Sequence, residues 1–330
     1  FQAEDGIRDR SPSRGLGDVY KRQVLDCFSG IGGFSLGLHW AGVNPKWIGF
    51  SDIDKHANKL FKRRFENAEE LGSITDISYK TLKGKRIDLL TGGFPCQAFS
   101  IGGARRGFKD ARGTLFFEVA RILKDYIENE KPIPCILLEN VKGLLNHDSG
   151  RTFAVIHRIL SDLNYTIECQ LVNTKWWLPQ NRERVYIFGR YNGKEYRRKV
   201  LPVRGANQNN GKQETDKTKE LFIADYRSDE GIRPRKDGVS PTLTCSTVPF
   251  VIENNKLRSI TPIEAERLQG FPDNWTDGQP DRQRYKQCGN AVSPPVTKAI
   301  FEKIYGDDKF SWKANDVKFI KKKNNKLKSI

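Results

Sequence analysis

Residues 92–97, Gly92-Gly93-Phe94-Pro95-Cys96-Gln97, set a cysteine directly behind a proline at the end of an apolar run. Proline fixes its own backbone angle and biases Phe94 to an extended conformation, so the Cys96 thiol is aimed rather than merely packed. A thiol held that way is a candidate nucleophile. A free cysteine is as often a small core hydrophobe, and this motif alone does not choose between the two. Two further motifs bear on the choice. Glu139 follows the near-continuous apolar run 134–138, and open α/β sheets place their chemistry at the carboxyl ends of such strands. Arg182 and Arg184 stand at alternate positions of a predicted extended segment and so share one face. Their guanidinium groups suit a carbonyl oxygen or a phosphate. Singly, Glu139 and the arginines also suit a structural ion pair.

These side chains need a scaffold, and the chain reads as one. A first strand over 24–28 runs into Ser29-Gly30-Ile31-Gly32-Gly33-Phe34, a glycine turn that opens a helix to about residue 41. Glycines let a ligand approach the backbone, and a helix amino terminus favours a negative group. The spacing Gly-x-Gly-Gly departs from the dinucleotide pattern Gly-x-Gly-x-x-Gly, which favours a smaller ligand with a carboxylate over a pyrophosphate. A second strand over 46–51 leads to Asp52, about 20 residues past the glycines and placed for ribose hydroxyls. A basic amphipathic helix over 54–65 follows, then a short third element ending at Asp76-Ile77. The strand 86–91 precedes Cys96. Residues 100–113, which include Ser100, Arg105 and Arg106, form a glycine- and arginine-rich loop. Such a loop is either a moving cover for the nucleophile or a solvated connector. Helices over 114–130 and 153–163 and strands over 166–173 and 184–189 complete an alternation that predicts an α/β fold.

The alternation breaks after residue 190. Residues 191–256 are polar, rich in Asn, Gly and Lys, with short β-like runs, the texture of a small loop-rich second domain. Thr261, Pro262 and Glu264 read as a capped helix start, closed at Gly270. Residues 289–295 open a last helix toward Tyr305.

The 330 residues suffice for one large and one smaller domain. No apolar run approaches the roughly 20 residues of a membrane span. Six scattered cysteines without paired metal spacing read as reduced thiols, with no metal site expected. A formal charge of +17 points to a polyanion, nucleic acid first, or to a lysine-rich solubility effect. The chain contains no methionine, and residues 1–23 resemble a translated sequencing adapter, so they are set aside from fold reasoning. Residues 313–330 read as a basic disordered tail.

Taken together and in order, 26–33, 93–97, 139–141, Gln180-x-Arg182-x-Arg184, 267–272 and 289–292 closely resemble the DNA cytosine-C5 methyltransferases over about residues 24–305. The resemblance implies a Rossmann-like, S-adenosylmethionine-dependent methyltransferase with a mixed, mostly parallel sheet and a smaller target-recognition domain. It implies a catalytic domain over 24–189 plus 286–312 and a recognition domain over 190–285. For the cofactor S-adenosyl-L-methionine it implies Asp26, Phe28, Gly30, Gly32, Gly33, Asp52, Ile53, Asp76, Ile77, Asn290, Ala291 and Val292. Phe28 and Ile53 would flank the adenine, with Asp52 on the ribose and Asp76 on the adenine amine. Cys96, Glu139, Arg182 and Arg184 would be catalytic, and Gln97, Ser100, Arg105, Arg106, Thr242 and Leu243 would meet double-stranded DNA. Ile53 stands where the family often has an aromatic, and Trp177 where it usually has glycine.

The implied partner is double-stranded DNA, with a cognate restriction endonuclease acting separately. A monomer in the cytoplasm, associated with the nucleoid, is expected. Three rivals remain: a tRNA-directed member of the same family, a catalytically silent DNA-binding relative, and a nicotinamide dehydrogenase. The missing third glycine and the Pro-Cys-Gln element argue against the last.

Overall fold

The computed structural model describes residues 22–95, 115–191, 199–205, 221–227, 231–235, 237–245, 248–253 and 256–306. In chain order the elements are β1 (Gln23–Cys27), α1 (Gly33–Trp40), β2 (Trp47–Ser51), α2 (Lys55–Arg64), β3 (Glu69–Glu70) and β4 (Leu89–Gly93). Next come α3 (Leu115–Glu128), β5 (Cys135–Val141), α4 (Arg151–Asp162), β6 (Tyr165–Asn173) and β7 (Glu183–Tyr191). The remainder is β8 (Leu221–Arg227), β9 (Gly231–Pro234), β10 (Phe250–Glu253), β11 (Lys256–Ser259), α5 (Pro262–Gln269), α6 (Asp281–Asn290) and α7 (Pro294–Tyr305).

The large sheet has the order β3-β2-β1-β4-β5-β7-β6. Strands β1 to β5 pair parallel, and β7 is antiparallel to both of its neighbours. Its central strands are apolar on both faces because helices cover both. Leu25, Leu90, Ile136, Leu138 and Ile187 point to the side of α3 and α4, against Phe116, Leu123, Ile156 and Leu160. Val24, Leu89, Leu137 and Phe188 point the other way, against Phe34 and Leu38 of α1 and Val296, Ile300 and Phe301 of α7. The period of two along each strand sorts the residues between these layers.

The small sheet is antiparallel, in the order β11-β10-β8-β9. Val251 of β10 packs with Leu243, Ile260, Ala265, Leu268 and Cys288. Phe271 and Trp275, in the stretch assigned above to the second domain, pack instead with Ile31, Leu36 and Leu60 beside the glycine turn.

Several boundaries differ from the sequence reading. β1 begins at Gln23, inside the segment set aside above, because its main chain is tied in. Gln23 N–H donates to the Asp88 carboxylate at 2.8 Å, and Asp88 N–H donates back to the Gln23 carbonyl at 2.8 Å. The same exchange holds residues 86–88 outside β4, whose ladder starts at Leu89 opposite Val24. β5 runs three residues beyond the apolar stretch, because β7 pairs Tyr186 with Glu139, Val185 with Asn140 and Arg184 with Val141. The third element is a 3₁₀ turn, Ile74–Asp76, capped by the Ser73 hydroxyl. Helix α6 has no counterpart in the sequence reading. It is polar almost all round and buries only Gln287, Cys288 and Gly289, so it presents no apolar stripe.

Candidate active site

The site forms where β4 and β5 end and β7 begins. At the exit of β4, Gly93 occupies a slot in which a Cβ would lie 3.4 Å from Glu139 Oε2 and 3.3 Å from Val292 Cγ2. The next residue, Phe94, is buried with its ring 5.5 Å from that of Phe116. Its carbonyl accepts a 2.8 Å hydrogen bond from Asn140 Nδ2, while Asn140 Oδ1 accepts from Val141 N–H at 2.8 Å. Asn140 thereby fixes the main chain two residues before Cys96. Cys96, Gln97, Ser100, Arg105 and Arg106 lie outside the described residues.

Glu139 projects from β5 into this exit. Arg184 of β7 sets its Nε 3.1 Å from Glu139 Oε1, both side chains being largely buried at 15% and 10% exposure. Burial pushes the Glu139 carboxyl above the ordinary carboxylate range, and the Arg184 and Arg182 charges oppose that rise. A carboxyl raised in this way holds a proton more readily than a surface glutamate, which suits a proton donor.

Arg182 has a different task from Arg184. It is buried, and its Nη1 and Nη2 donate to the carbonyls of Leu243 at 3.0 Å and Ala291 at 2.9 Å. Gln180 and Gln269 join it. Gln180 Nε2 donates to the Leu268 carbonyl at 2.9 Å, and Gln269 Nε2 donates to the carbonyls of Cys288 at 2.6 Å and Ala291 at 3.2 Å. These buried donors tie the segment before β7, α5 and the end of α6 to the loop at 243. Leu243 is itself wholly buried. It was expected to meet DNA, and here its side chain packs with Val251 and Ile260, while the adjacent Thr242 is the more accessible member, its Oγ1 donating to the Asn181 carbonyl at 2.6 Å.

The glycine turn lies beside this exit. Phe28, Gly30 and Gly32 all adopt positive φ, at 54°, 52° and 86°. For Gly33 the demand is close approach, since a Cβ there would come within 2.1 Å of the Val292 carbonyl oxygen. Val292 thus touches both Gly33 of the turn and Gly93 of the β4 exit. Asp52 accepts from Gly30 N–H through Oδ2 and from Asp54 N–H through Oδ1, both at 2.9 Å, so it fixes the turn and remains half-exposed. Beside it Ile53 is 83% exposed. Asp76 and Asn290 are exposed, whereas Ile77, Ala291 and Val292 are buried.

Asp26 departs from its expected place at the ligand. It is fully buried, with Oδ2 taken by the Ser35 hydroxyl at 2.7 Å and Oδ1 by the Thr91 hydroxyl at 2.8 Å. It joins β1, α1 and β4 beneath the turn. Burial pushes its carboxyl up to about 6, against the pull of the two hydroxyls.

A group with an apolar ring, vicinal hydroxyls and a carboxylate fits this rim. Space is open above Gly30, where a Cβ would meet nothing within 4 Å. An apolar side chain, Ile53, stands bare next to the Asp52 carboxylate, and Asp76 is exposed. Sequence reasoning gave no role to Asn140, Thr91 or Gln269. Asn140 stood inside a quoted motif, but a side-chain bond to Phe94, 46 positions away, leaves no mark in spacing.

Comparison with known proteins is consistent with this geometry. The family model for C-5 cytosine-specific DNA methylases matches residues 22–244 and 205–306. Type II methyltransferase M1.ScrFI of Lactococcus lactis subsp. cremoris is 39% identical over 319 residues, covering 86% of this chain and 78% of that protein. Type II methyltransferase M.SsoII of Shigella sonnei is 36% identical over 327 residues, covering 86% and 79%. The crystal structure of the S. pombe Dnmt2 methyltransferase superposes with a TM-score of 0.64 at 18% identity, covering 88% of this chain and all of that one, and supports the fold alone. A mixed, mostly parallel sheet whose strands end at a glycine turn and a buried Glu–Arg pair, matched over nearly its whole described length, makes this chain a member of the C-5 cytosine-specific DNA methylase family.

Proposed function

We propose that Cys96, Glu139 and Arg184 carry out the reaction of this DNA cytosine-5 methyltransferase, with Arg182, Gln180, Asn140 and Asp26 positioning them. Carbon 5 of cytosine is too weak a nucleophile to take a methyl group unaided. Attack of the Cys96 thiolate on carbon 6 makes carbon 5 enamine-like. Glu139 donates a proton or hydrogen bond to ring nitrogen 3 as charge enters the ring. Arg184 bonds the ring carbonyl oxygen and holds the Glu139 carboxyl toward the same space. S-adenosylmethionine, which the family uses, supplies the methyl group as an electrophile on its sulfonium. Asp52, Ile53, Phe28, Asp76 and the turn of Gly30, Gly32 and Gly33 hold it, with Asn290, Ala291 and Val292 closing the pocket. Loss of the carbon-5 proton then releases Cys96. The base must leave the duplex to reach this exit.

The observation that carries the assignment is the buried Glu139–Arg184 pair at 3.1 Å beside Gly93, three residues before Cys96. In the same reading 24–189 with 286–312 form the catalytic domain, and 190–285 form the recognition domain. Segment 270–276 of the latter is seated on the glycine turn. Thr242, Gln97, Ser100, Arg105 and Arg106 meet the DNA. The basic charge holds DNA backbone, and the enzyme works as a nucleoid-associated monomer beside a separate cognate endonuclease. No helix among the described residues is long and apolar enough to cross a membrane. The test is Cys96→Ser. Methyl transfer to DNA is abolished while S-adenosylmethionine binding by calorimetry is kept; continued turnover would remove Cys96 from the chemistry.

A further inference from the structure

A cleft of about 270 Å³ opens beside Arg184, lined among others by Lys142, Asn181, Glu183, Arg184 and Thr242. It has two cations. Arg184 is held by buried Glu139 at 3.1 Å. Among the described residues Lys142, three residues beyond Glu139, is paired with Glu183, with Nζ 2.8 Å from Oε2, and the two side chains are 51% and 37% exposed. An ion pair that open to water contributes little and separates readily. The Thr242 hydroxyl is already turned to the Asn181 carbonyl at 2.6 Å. Lys142 is therefore the lining group whose charge can be handed to a ligand at least cost.

We propose that Lys142 binds a backbone phosphodiester of the target DNA strand next to the extruded cytosine, and that Glu183 holds Lys142 in the free enzyme and is displaced from it on binding. This rests on the reading that Arg184 faces the target base. The phosphodiester, rather than the sugar, is favoured because the lining offers an ammonium group at an open cleft. A bound phosphate also releases counterions as the sugar does not. Glu183 then has a definite sign. Its carboxylate competes with the phosphate for Lys142 and repels it, so the two members of the pair act oppositely on DNA affinity. In a purely structural ion pair, removing either member leaves the other unpaired and the two effects agree.

The experiment measures binding of full-length Lys142→Gln, Glu183→Gln and wild-type protein to a fluorescein-labelled pool of short unmethylated genomic duplexes, at several NaCl concentrations. Lys142→Gln is expected to bind about three- to tenfold more weakly at 0.1 M salt, with the slope of log affinity against log salt reduced by about one. Glu183→Gln is expected to bind DNA more tightly than wild type. S-adenosylmethionine affinity stays unchanged in both. Weakening by both variants alike, or no change in either, would overturn the proposal. Methyl transfer by the wild type to the same duplexes is read separately. Its absence would count against the function proposed above, whereas the opposite signs of the two variants decide the role of Lys142 by binding alone.

Discussion

The two sheets of this protein are built on opposite plans. In the large sheet the parallel strands are covered on both faces, and Leu89, Leu90, Ile136, Leu137 and Leu138 are wholly buried. The proposed chemistry sits at the strand ends, where Gly93 and Glu139 meet. The small sheet is antiparallel, its strands are four to seven residues long, and it leaves Ile232 and Leu257 exposed. Its polar anchors differ in kind as well. Glu139 and Arg184 form a buried pair, whereas Arg258 pairs with Glu264 at 2.8 Å with side chains 35% and 28% exposed. A buried sheet can hold a carboxyl above its ordinary pKa and an arginine in one orientation. A half-exposed sheet offers instead a surface that changes at little cost to stability.

The largest expected contrast is in catalysis. Glu139→Gln should lower kcat for methyl transfer by about 10²–10⁴-fold, while Arg258→Ala leaves kcat within about twofold and costs about 0–1 kcal/mol in urea unfolding. Equal effects on kcat would erase the distinction. In the cores, Leu137→Ala should cost about 2–5 kcal/mol. Ile232→Asp and Leu257→Lys, on the small sheet's exposed face, should stay within about 0.5 kcal/mol of wild type.

A pH measurement sharpens the same contrast. Burial raises the Asp26 carboxyl from 3.8 to about 6, so the folded protein binds its proton more tightly than the unfolded chain does. The stability tied to this group is complete below about pH 4 and is lost as pH rises through about 6. The rise corresponds to about 3 kcal/mol. Asp26→Asn should therefore flatten that part of the stability profile relative to wild type, and an unchanged slope would contradict the buried, charged carboxylate. The smallest effect belongs to α5. There Thr261 Oγ1 accepts from Glu264 N–H, and the Glu264 carboxylate accepts from Thr261 N–H. Thr261→Ala should cost about 1 kcal/mol.

Legibility in the sequence follows the same division. The strands and helices of the large sheet announce themselves because continuous apolar runs and 3.6-residue stripes are what a doubly covered sheet demands. Glu139 was visible at the end of such a run, and Glu264 from its capping-box spacing. Three kinds of feature were not visible. Helix α6 is buried at one end only and lacks a stripe. Arg182 stands just before β7 and Arg184 on it, yet one serves two main-chain carbonyls and the other a carboxylate, a difference set by segments distant in the sequence. Asp26 and Leu243 stand in motifs but turn inward. A motif shows which residues belong together and leaves open which of them face the ligand.

The central claim is methyl transfer to carbon 5 of cytosine in DNA. The most direct test incubates the purified protein with labelled S-adenosylmethionine and unmethylated genomic DNA, with tRNA in a parallel tube, and reads the DNA product by bisulfite sequencing. The account predicts label in DNA, with 5-methylcytosine confined to one short sequence. Label confined to tRNA, or DNA label that bisulfite sequencing does not place on cytosine carbon 5, would contradict it.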